Sequence, residues 1–432
     1  MAVIGYQCAA CGTGLPIATP LPWRCPREQG DRHHVLEILD DGGAFVRDDG
    51  GAFVRDDGED NPFIRYRAQM AWWAFGRSHG MGDDELVGLV VDLDENVASV
   101  AGVGFTMTPL ARADALSAEL DFVSHGGIWI KDETGNVAGS QKARHLHSIL
   151  LHLLVAEELG LVPWSEERPS LAIASCGTAA IAAATLARAV EWPIDVYIPE
   201  WAGGEVVETL DELGARVTRC RRGDLPGDPT LREFRCAVAQ GAVPFSVQGP
   251  ENTLCLDGGR TIGWEMADQL RAVGLESLDA MFVQVGGGAF AASVSRGLEE
   301  SAFPAPLYAV QTAGCAPLAR AWDSARSDDR PASHWARHMW PWETEPHSLA
   351  DGILDDETYD WVADVEQLRR TGGGVVVADE RDVVAAAEMG PRLTGIDASP
   401  TGTAGLAGLL SRRSSLDDGS RSAVVFSGVR RG

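Results

Sequence analysis

The chain has 432 residues, with 36 Lys and Arg against 63 Asp and Glu, so its formal net charge is −27. So acidic a surface repels a phosphate backbone, which excludes a general nucleic-acid binder, and a composition of 45% hydrophobic and 23% charged residues is typical of a globular protein with two or three domains. No apolar run reaches the roughly 18 residues of a membrane span, and the N-terminus lacks a basic region followed by an apolar stretch. We therefore expect a cytoplasmic protein that does not bind membranes.

The N-terminal segment, residues 1–60, is rich in turn residues and begins with a CxxC motif. This motif has the spacing of half a zinc knuckle, and Glu28 stands where a fourth thiolate is expected. The candidate zinc ligands are Cys8, Cys11, Cys25 and either His33 or His34. Two interpretations stay open: a zinc-ribbon-like element with a structural zinc ion, and a metal-free remnant of such an element.

The same segment contains the octapeptide DDGGAFVR twice in tandem, at Asp40–Arg47 and Asp48–Arg55. Two copies are too few and too short for a solenoid repeat. We expect an extended hairpin or an exposed loop.

From about residue 113 onward, short apolar runs alternate with helical stretches, which is the pattern of a parallel α/β architecture. Several of these runs end in glycine-rich turns, where open α/β sheets bind ligands. The predicted strands are LAIASCG (Leu171–Gly177), IDVYIPE (Ile194–Glu200), the start of AMFVQVGGGAFAASVSRGLEE (Ala280–Glu300), PLYAVQT (Pro306–Thr312), GGVVVAD (Gly373–Asp379) and AVVFSG (Ala423–Gly428).

Three consecutive glycines, Gly286, Gly287 and Gly288, separate the apolar run MFVQV from a helical stretch. Glycines at this position let backbone N–H groups approach a phosphate, and the N-terminus of the following helix adds partial positive charge. A tight strand-to-helix turn also requires glycine, so both readings remain open. The motif matches neither a dinucleotide fingerprint nor a Walker sequence.

Only two lysines occur in the chain, Lys131 and Lys142. Lys142 stands in IWIKDETGNVAGSQKARH (Ile128–His145), where an apolar strand is followed by a polar turn and a helical segment. A lysine held at such a turn can keep its amine neutral and form an imine with an aldehyde cofactor. The sequence therefore predicts Lys142 as a catalytic residue.

Eight motifs occur in order along the chain, over roughly residues 100–428. They are GFTMTPLARADAL (Gly104–Leu116), KDETGNVAGSQKAR, SCGTAAIAAA (Ser175–Ala184), GGRTIGWEMADQL, VGGGAF, QTAGCAPLARAW, SLADGILDD and RTGGGVVVADERDVVAAA. Together they resemble the fold-type II family of pyridoxal-phosphate enzymes, the tryptophan synthase β superfamily, and most closely its threonine synthase-like branch.

This resemblance implies a role for each site residue. Lys142 would bind the pyridoxal 5'-phosphate covalently and act as the acid and base at Cα. The other implied cofactor contacts are Asn136 near the ring, the amides of Gly286, Gly287, Gly288 and Ala289 at the phosphate, and Ser427 at the pyridine nitrogen. The implied substrate contacts are Ser175, Gly177 and Thr178 at the carboxylate, with Gln141 beside the lysine.

The resemblance also implies the fold: two parallel-sheet α/β domains of the tryptophan synthase β-like type, preceded by the zinc-ribbon-like segment. We expect a large cofactor-binding domain formed by residues 61–150 and 262–432, and a small mobile domain formed by residues 151–261. A homodimer is the expected assembly.

The proposed position of Ser427 predicts the reaction class. A hydroxyl group cannot keep the pyridine nitrogen protonated as a carboxylate would, so the ring is a weaker electron sink and elimination of a leaving group competes well. We expect β- or γ-elimination or replacement on a small hydroxy-, O-acyl- or O-phospho-amino acid. Thr178, Gln141 and Val137-Ala138 depart from the family pattern, which predicts a diverged substrate pocket. The alternatives are a serine or threonine dehydratase and a non-catalytic cofactor-binding module.

Overall fold

The structure is a computed structural model that describes residues 2–28, 33–41, 58–162, 164, 167–175, 177–200, 202–222 and 227–431. The predicted hairpin or loop of the tandem octapeptide lies almost entirely outside the described residues.

The described residues form strands and helices that alternate over most of the chain. The strands are β1 (Val3–Cys8), β2 (Gly14–Pro16), β3 (Leu36–Asp40), β4 (Leu110–Arg112), β5 (Gly127–Asp132), β6 (Leu171–Ala174), β7 (Ile194–Pro199), β8 (Arg216–Cys220), β9 (Val243–Pro244), β10 (Ala280–Gln284), β11 (Leu307–Thr312), β12 (Gly374–Ala378) and β13 (Arg421–Phe426). The helices are α1 (Pro62–Arg65), α2 (Ala71–Ser78), α3 (Asp83–Ala101), α4 (Asp114–Glu119), α5 (Lys142–Glu158), α6 (Thr178–Ala189), α7 (Gly204–Glu212), α8 (Pro229–Ala239), α9 (Cys255–Ala272), α10 (Ala289–Glu300), α11 (Pro317–Ala325), α12 (Trp335–His338), α13 (Trp361–Thr371), α14 (Glu380–Thr394) and α15 (Ala404–Arg412). Short 3₁₀ turns occur at Arg67–Gln69, Val137–Gly139, Pro331–His334, Asp351–Ile353 and Arg413–Ser415.

The chain divides into two compact units. Unit 1 contains Met1–Met107 and Asn136–Thr261, and unit 2 contains Thr108–Gly135 and Ile262–Gly432. This division differs from the predicted domains, because residues 61–107 and 136–150 group with residues 151–261. The reason is the packing of α5, which contacts α2 and α6 of unit 1.

Unit 1 contains two sheets. A small antiparallel sheet has the order β2-β1-β3, and a parallel sheet has the order β8-β7-β6-β9. Helix α8 begins with a conventional cap: Asp228 accepts a hydrogen bond from the amide of Thr230, and Pro229 fills the first helical position. Strand β6 ends at Ala174, immediately before the loop that leads into α6.

Unit 2 contains a six-stranded sheet with the order β12-β11-β10-β13-β5-β4, in which only the edge strand β4 is antiparallel to its neighbour. Every residue of β10 is buried, as expected for a parallel strand covered on both faces. Because β5, β10 and β13 are parallel neighbours, their carboxyl ends lie at one edge of the sheet. The glycine turn and Ser427 therefore follow neighbouring strands.

The α/β prediction with parallel sheets is confirmed. Within the described residues, no helix is both long enough and apolar enough to cross a bilayer.

Candidate functional site

The glycine turn after β10 in unit 2 presents unsatisfied backbone amides. Gly286 and Gly288 are buried and Gly287 is half-buried. Among the described residues, no acceptor is found for the N–H groups of these three glycines. Buried amides in folded proteins are almost always hydrogen-bonded, so two buried exceptions on either side of a half-buried one, at the N-terminus of α10, indicate an anion site. The turn thus fits the phosphate of a cofactor.

The other side of this turn is filled by the segment that precedes and begins α13. A Cβ atom on Gly286 would overlap the carboxylate of Asp355, and one on Gly288 would overlap that of Asp364. Gly288 also has a φ of 101°, which other residues rarely adopt. Burial, and secondarily the charge of Asp360, raises the pKa of Asp364 well above its usual range. A protonated Asp364 does not repel an anion at the turn.

Ser427 follows β13 and is nearly buried, at 7% exposure. Its Oγ accepts a hydrogen bond of 2.6 Å from Nε2 of Gln284. The same amide group faces the carbonyl oxygens of Thr401, Gly402 and Val425 at 3.0 to 3.4 Å, which fixes it as the NH₂ end of the side chain. The hydroxyl proton of Ser427 is therefore free to be donated to a ligand.

Gln284 was not identified from the sequence. The available signal was a polar residue at the end of the otherwise apolar strand AMFVQ. Its role is to orient the Ser427 hydroxyl, because it occupies the acceptor side of that group.

The two lysines have contrasting environments. Lys131 in unit 2 is fully buried, and its Nζ donates to the carbonyl of Thr108 at 2.7 Å, to Glu265 at 2.5 Å and to Gln269 at 3.0 Å. These three bonds use the full donor capacity of the ammonium group, so Lys131 has no amine available for chemistry. Lys142 in unit 1 is half-buried, and its amine has no hydrogen bond or ion pair with any described residue. Of the two lysines, Lys142 is the one whose amine is not engaged by a described residue.

The turn before Lys142 has an unusual backbone. The side chain of Asn136 is buried, and its Oδ1 accepts a hydrogen bond of 2.8 Å from the amide of Val137. Ala138 has a φ of 54° and Gly139 a φ of 63°, so two successive residues are left-handed. Left-handed alanine is costly and is found mainly where function constrains the chain. Asn136 therefore shapes this turn directly.

Lys142 begins helix α5, and its amide donates to Oγ of Ser140 at 3.3 Å. Gln141 is 4% exposed, and its Oε1 lacks a hydrogen-bond partner among the described residues. A buried amide oxygen without a donor is costly in free energy, so this oxygen is available to a ligand beside Lys142.

Two histidines one turn further along α5 are buried and uncharged. Burial lowers the pKa of His147 to about 3, and its ring lies between those of Phe63 and Phe105 at centroid distances of 4.4 and 4.2 Å. Burial, partly offset by a bond to the carbonyl of Cys255, lowers the pKa of His145 to about 4. Neither imidazole is a proton acceptor at neutral pH.

The predicted carboxylate loop joins β6 to α6 in unit 1. The amide of Gly177 donates to Oγ of Ser175 at 3.4 Å, and helix α6 begins at Thr178. All three residues are half-buried. Cys176 lies outside the described residues. The N-terminus of this 12-residue helix provides free amides and a favourable dipole for a carboxylate.

The predicted site residues are thus divided between the two units. Those in unit 1 are Asn136, Gln141, Lys142, Ser175, Gly177 and Thr178, and those in unit 2 are Gly286, Gly287, Gly288, Ala289 and Ser427.

The N-terminal cysteines converge with one histidine. The ligating atoms of this group all lie within 4.8 Å of one another, and its members are Cys8, Cys11, Cys25 and His34. Cys8 Sγ is 3.5 Å from Nδ1 of His34, and Cys11 Sγ is 3.6 Å from Cys25 Sγ. The imidazole among the thiols thus belongs to His34 rather than His33. Three thiols and one imidazole form a donor set that suits tetrahedral zinc.

The sequence and the structure were compared with known proteins. The profile of the family described as "Pyridoxal-phosphate dependent enzyme" matches residues 103–428. Threonine synthase of Methanosarcina acetivorans is 25% identical over 311 residues, which cover 70% of this chain and 68% of that protein. L-serine dehydratase of Saccharomyces cerevisiae is 30% identical over 198 residues, or 44% of this chain and 56% of that protein, so the match spans little more than half of the dehydratase. Maize serine racemase has a similar fold, with a TM-score of 0.60 and 18% identity over 80% of this chain and 94% of that one.

Proposed function

The chain belongs to the family of pyridoxal-phosphate dependent enzymes, and we propose that it catalyses elimination or replacement of a β- or γ-substituent on a small amino acid. The substituent would be a hydroxyl, O-acyl or O-phospho group. The observation that carries this proposal is the Ser427 hydroxyl, which is neutral and whose proton is free because Gln284 occupies its acceptor side.

Two groups of residues would hold the cofactor. The amides of Gly286, Gly287, Gly288 and Ala289 would bind the phosphate, and Ser427 would donate a hydrogen bond to the pyridine nitrogen. Lys142 would attach the cofactor covalently, with Asn136 shaping the adjacent turn. When bound, pyridoxal phosphate withdraws electrons from Cα and so acidifies the Cα proton.

Lys142 would move that proton. Its amine makes no hydrogen bond or ion pair with a described residue, so no neighbour would hold it away from the proton at Cα, which it would accept and later return. Ser427 would donate a hydrogen bond to the pyridine nitrogen without transferring a full charge, which would leave the ring a moderate electron sink. Such a ring suits loss of a β- or γ-substituent.

The substrate would be held by the loop before α6. Ser175, Gly177 and Thr178 would bind its carboxylate, and the free oxygen of Gln141 would accept a hydrogen bond from a donor group on the substrate. Because Thr178 and Gln141 depart from the threonine synthase pattern, we expect O-phosphohomoserine to be a poor substrate.

A serine or threonine dehydratase is the second candidate. The 30% identity to the yeast L-serine dehydratase supports it, although that similarity covers 44% of this chain. Retention of Lys142 in a chain with two lysines argues against a non-catalytic module.

A substrate panel tests the reaction class. The purified holoenzyme is incubated with L-serine, L-threonine, O-acetyl-L-serine and O-phospho-L-homoserine, and the release of 2-oxo acid, ammonium, acetate and phosphate is measured. Elimination releases the substituent together with a 2-oxo acid and ammonium, whereas replacement by water or an added nucleophile releases the substituent but leaves the amino group on the product, so no ammonium appears. Transamination or racemisation as the main activity would overturn the proposal.

We further propose a structural zinc ion at the N-terminal group. Cys8 and Cys11 flank the turn after β1, the ligand spacing of a knuckle, and His34 lies two residues before β3, which pairs with β1. Zinc here would join the parts of the small sheet, which suits a stabilising role.

The homodimer and the cytoplasmic location remain predictions from the sequence. Light scattering coupled to size-exclusion chromatography measures the molar mass in solution and so tests the homodimer.

A further inference from the structure

A second group of metal-binding side chains lies in unit 2, after α11. Oδ2 of Asp328 is 2.7 Å from Nδ1 of His334 and 2.9 Å from Nε2 of His338. The ligating atoms of the three residues all lie within 4.8 Å of one another. The two histidines are four residues apart, His334 at the end of a 3₁₀ turn and His338 at the end of α12, so the helical path brings both rings to one carboxylate.

The backbone holds the carboxylate in place. The amide of Asp328 donates to the carbonyl of Ala325 at 2.8 Å, and Arg369 of α13 donates to the carbonyl of Asp328 at 2.8 Å. The amide of Arg330 donates to Oδ1 of Asp328 at 3.0 Å, which leaves Oδ2 to face the two imidazoles. This position is therefore set by the loop rather than by the histidines.

The hydroxyl of Ser324 is a hydrogen-bond partner for the His338 ring nitrogen that faces away from Asp328. Oγ of Ser324 lies 2.9 Å from Nδ1 of His338, and also 3.3 and 3.2 Å from the carbonyl oxygens of Arg320 and Ala321. Oγ can accept from an N–H at Nδ1 while its own proton goes to one of these carbonyls, and this tautomer leaves the lone pair of Nε2 for a metal ion. In it, Nε2 and Oδ2 of Asp328 are two acceptors 2.9 Å apart, an arrangement that a cation between them stabilises.

We infer that Asp328, His334 and His338 form a binding site for a zinc-like divalent transition-metal ion. Two imidazoles and one carboxylate suit this class of ion better than Ca²⁺ or Mg²⁺, which prefer oxygen ligands. A histidine ligand almost always donates its other N–H to a neighbouring group, and Ser324 is that group for His338.

The geometry accommodates the ion with a small shift. Ligands about 2.1 Å from a tetrahedral zinc ion lie roughly 3.4 Å from one another, so the carboxylate would move away from the imidazoles by about 0.5 to 0.7 Å. The His338 side chain is fully buried and that of Asp328 is 14% exposed, whereas that of His334 is 43% exposed and free to adjust. Exposure on the His334 side leaves the fourth coordination position open to water.

Metal content of the full-length holoenzyme tests this site. The wild type and each variant are dialysed to equilibrium against micromolar Zn²⁺ with excess Mg²⁺, and bound zinc is counted by mass spectrometry. Wild type should bind one more zinc ion per chain than His334→Ala or Asp328→Asn. This difference does not depend on whether the N-terminal cysteines hold zinc, since both sides of the comparison retain them.

Two further variants sharpen the test. Ser324→Ala should weaken zinc affinity, measured by competition with a colorimetric chelator, by 10- to 100-fold, the usual effect of losing a partner of a ligand. His347→Ala removes an exposed histidine outside the group and should leave both stoichiometry and affinity unchanged. Equal zinc content in wild type and His334→Ala would overturn the site, as would zinc binding only in the millimolar range.

Discussion

Replacement of each lysine by methionine separates the structural lysine from the proposed catalytic one. Lys131→Met leaves the carboxylate of Glu265 fully buried without its cation. Breaking a buried ion pair on one side costs about 3–5 kcal/mol of stability. Lys142→Met removes no hydrogen bond or ion pair with a described residue and only a half-buried side chain, so we expect a change within about 0.5 kcal/mol.

For covalent attachment of the cofactor we expect the opposite: Lys142→Met should abolish it and Lys131→Met should not. Each protein is reduced with borohydride and digested, and the peptide that carries the cofactor is identified by mass spectrometry, while urea unfolding midpoints of the cofactor-free proteins report stability. Wild type and Lys131→Met should both carry the adduct on Lys142, and Lys142→Met should carry none. An adduct on Lys131, or a large loss of stability in Lys142→Met with none in Lys131→Met, would refute the reasoning.

Two further predictions concern the glycine turn and the N-terminal cluster. A Cβ on Gly287 would lie 3.3 Å from the ring of Tyr359, so Gly287→Val should crowd the turn and weaken cofactor binding at least tenfold in a fluorescence titration. The control Gly204→Val, at a position with open space, should leave the cofactor affinity unchanged. Equal cofactor affinities of Gly287→Val and wild type would mean that the phosphate binds elsewhere. His34→Ala should weaken the cobalt affinity of the thiolate site at least tenfold, and His33→Ala should leave that affinity unchanged. Cobalt binding is measured by thiolate-to-cobalt charge-transfer absorption. A larger loss of affinity in His33→Ala than in His34→Ala would contradict the ligand assignment.

The parallel strands were the part of the fold that could be predicted from the sequence. The apolar runs at 280–284 and 307–312 are buried strands because both faces of a parallel sheet are covered, and a run of this kind has no alternative exposed register. The turns after these strands could also be predicted, since a sharp strand-to-helix turn needs the glycines that follow each run. The order of motifs along the chain was sufficient to identify the family.

Long-range partners could not be predicted. Lys131 and Glu265 are 134 residues apart, and nothing local shows that this lysine is consumed by an ion pair. Gln284 acts on a hydroxyl 143 residues later. The choice between His33 and His34 depends on strand register: Cys8 pairs with Leu36, which brings the residue two positions before Leu36 to the thiol. Such pairings follow from tertiary packing, which a single sequence does not encode locally.

Asp364 provides a test of how the glycine turn is built. Its carboxyl group is fully buried, neither oxygen has a hydrogen bond within the described residues, and burial followed by the charge of Asp360 raises its pKa well above the ordinary 3.8. Above about pH 4 the unfolded chain releases this proton while the folded protein retains it, so stability falls by up to about 1.4 kcal/mol per pH unit until the folded pKa is passed. Asp364→Asn cannot ionise. In excess pyridoxal phosphate, its urea midpoint should match wild type at pH 4 and exceed it at pH 8, while the exposed control Asp417→Asn should follow wild type at both. A parallel pH dependence in Asp364→Asn and wild type would show that Asp364 is ionised in the folded protein, and the turn would then carry a negative charge that opposes phosphate binding.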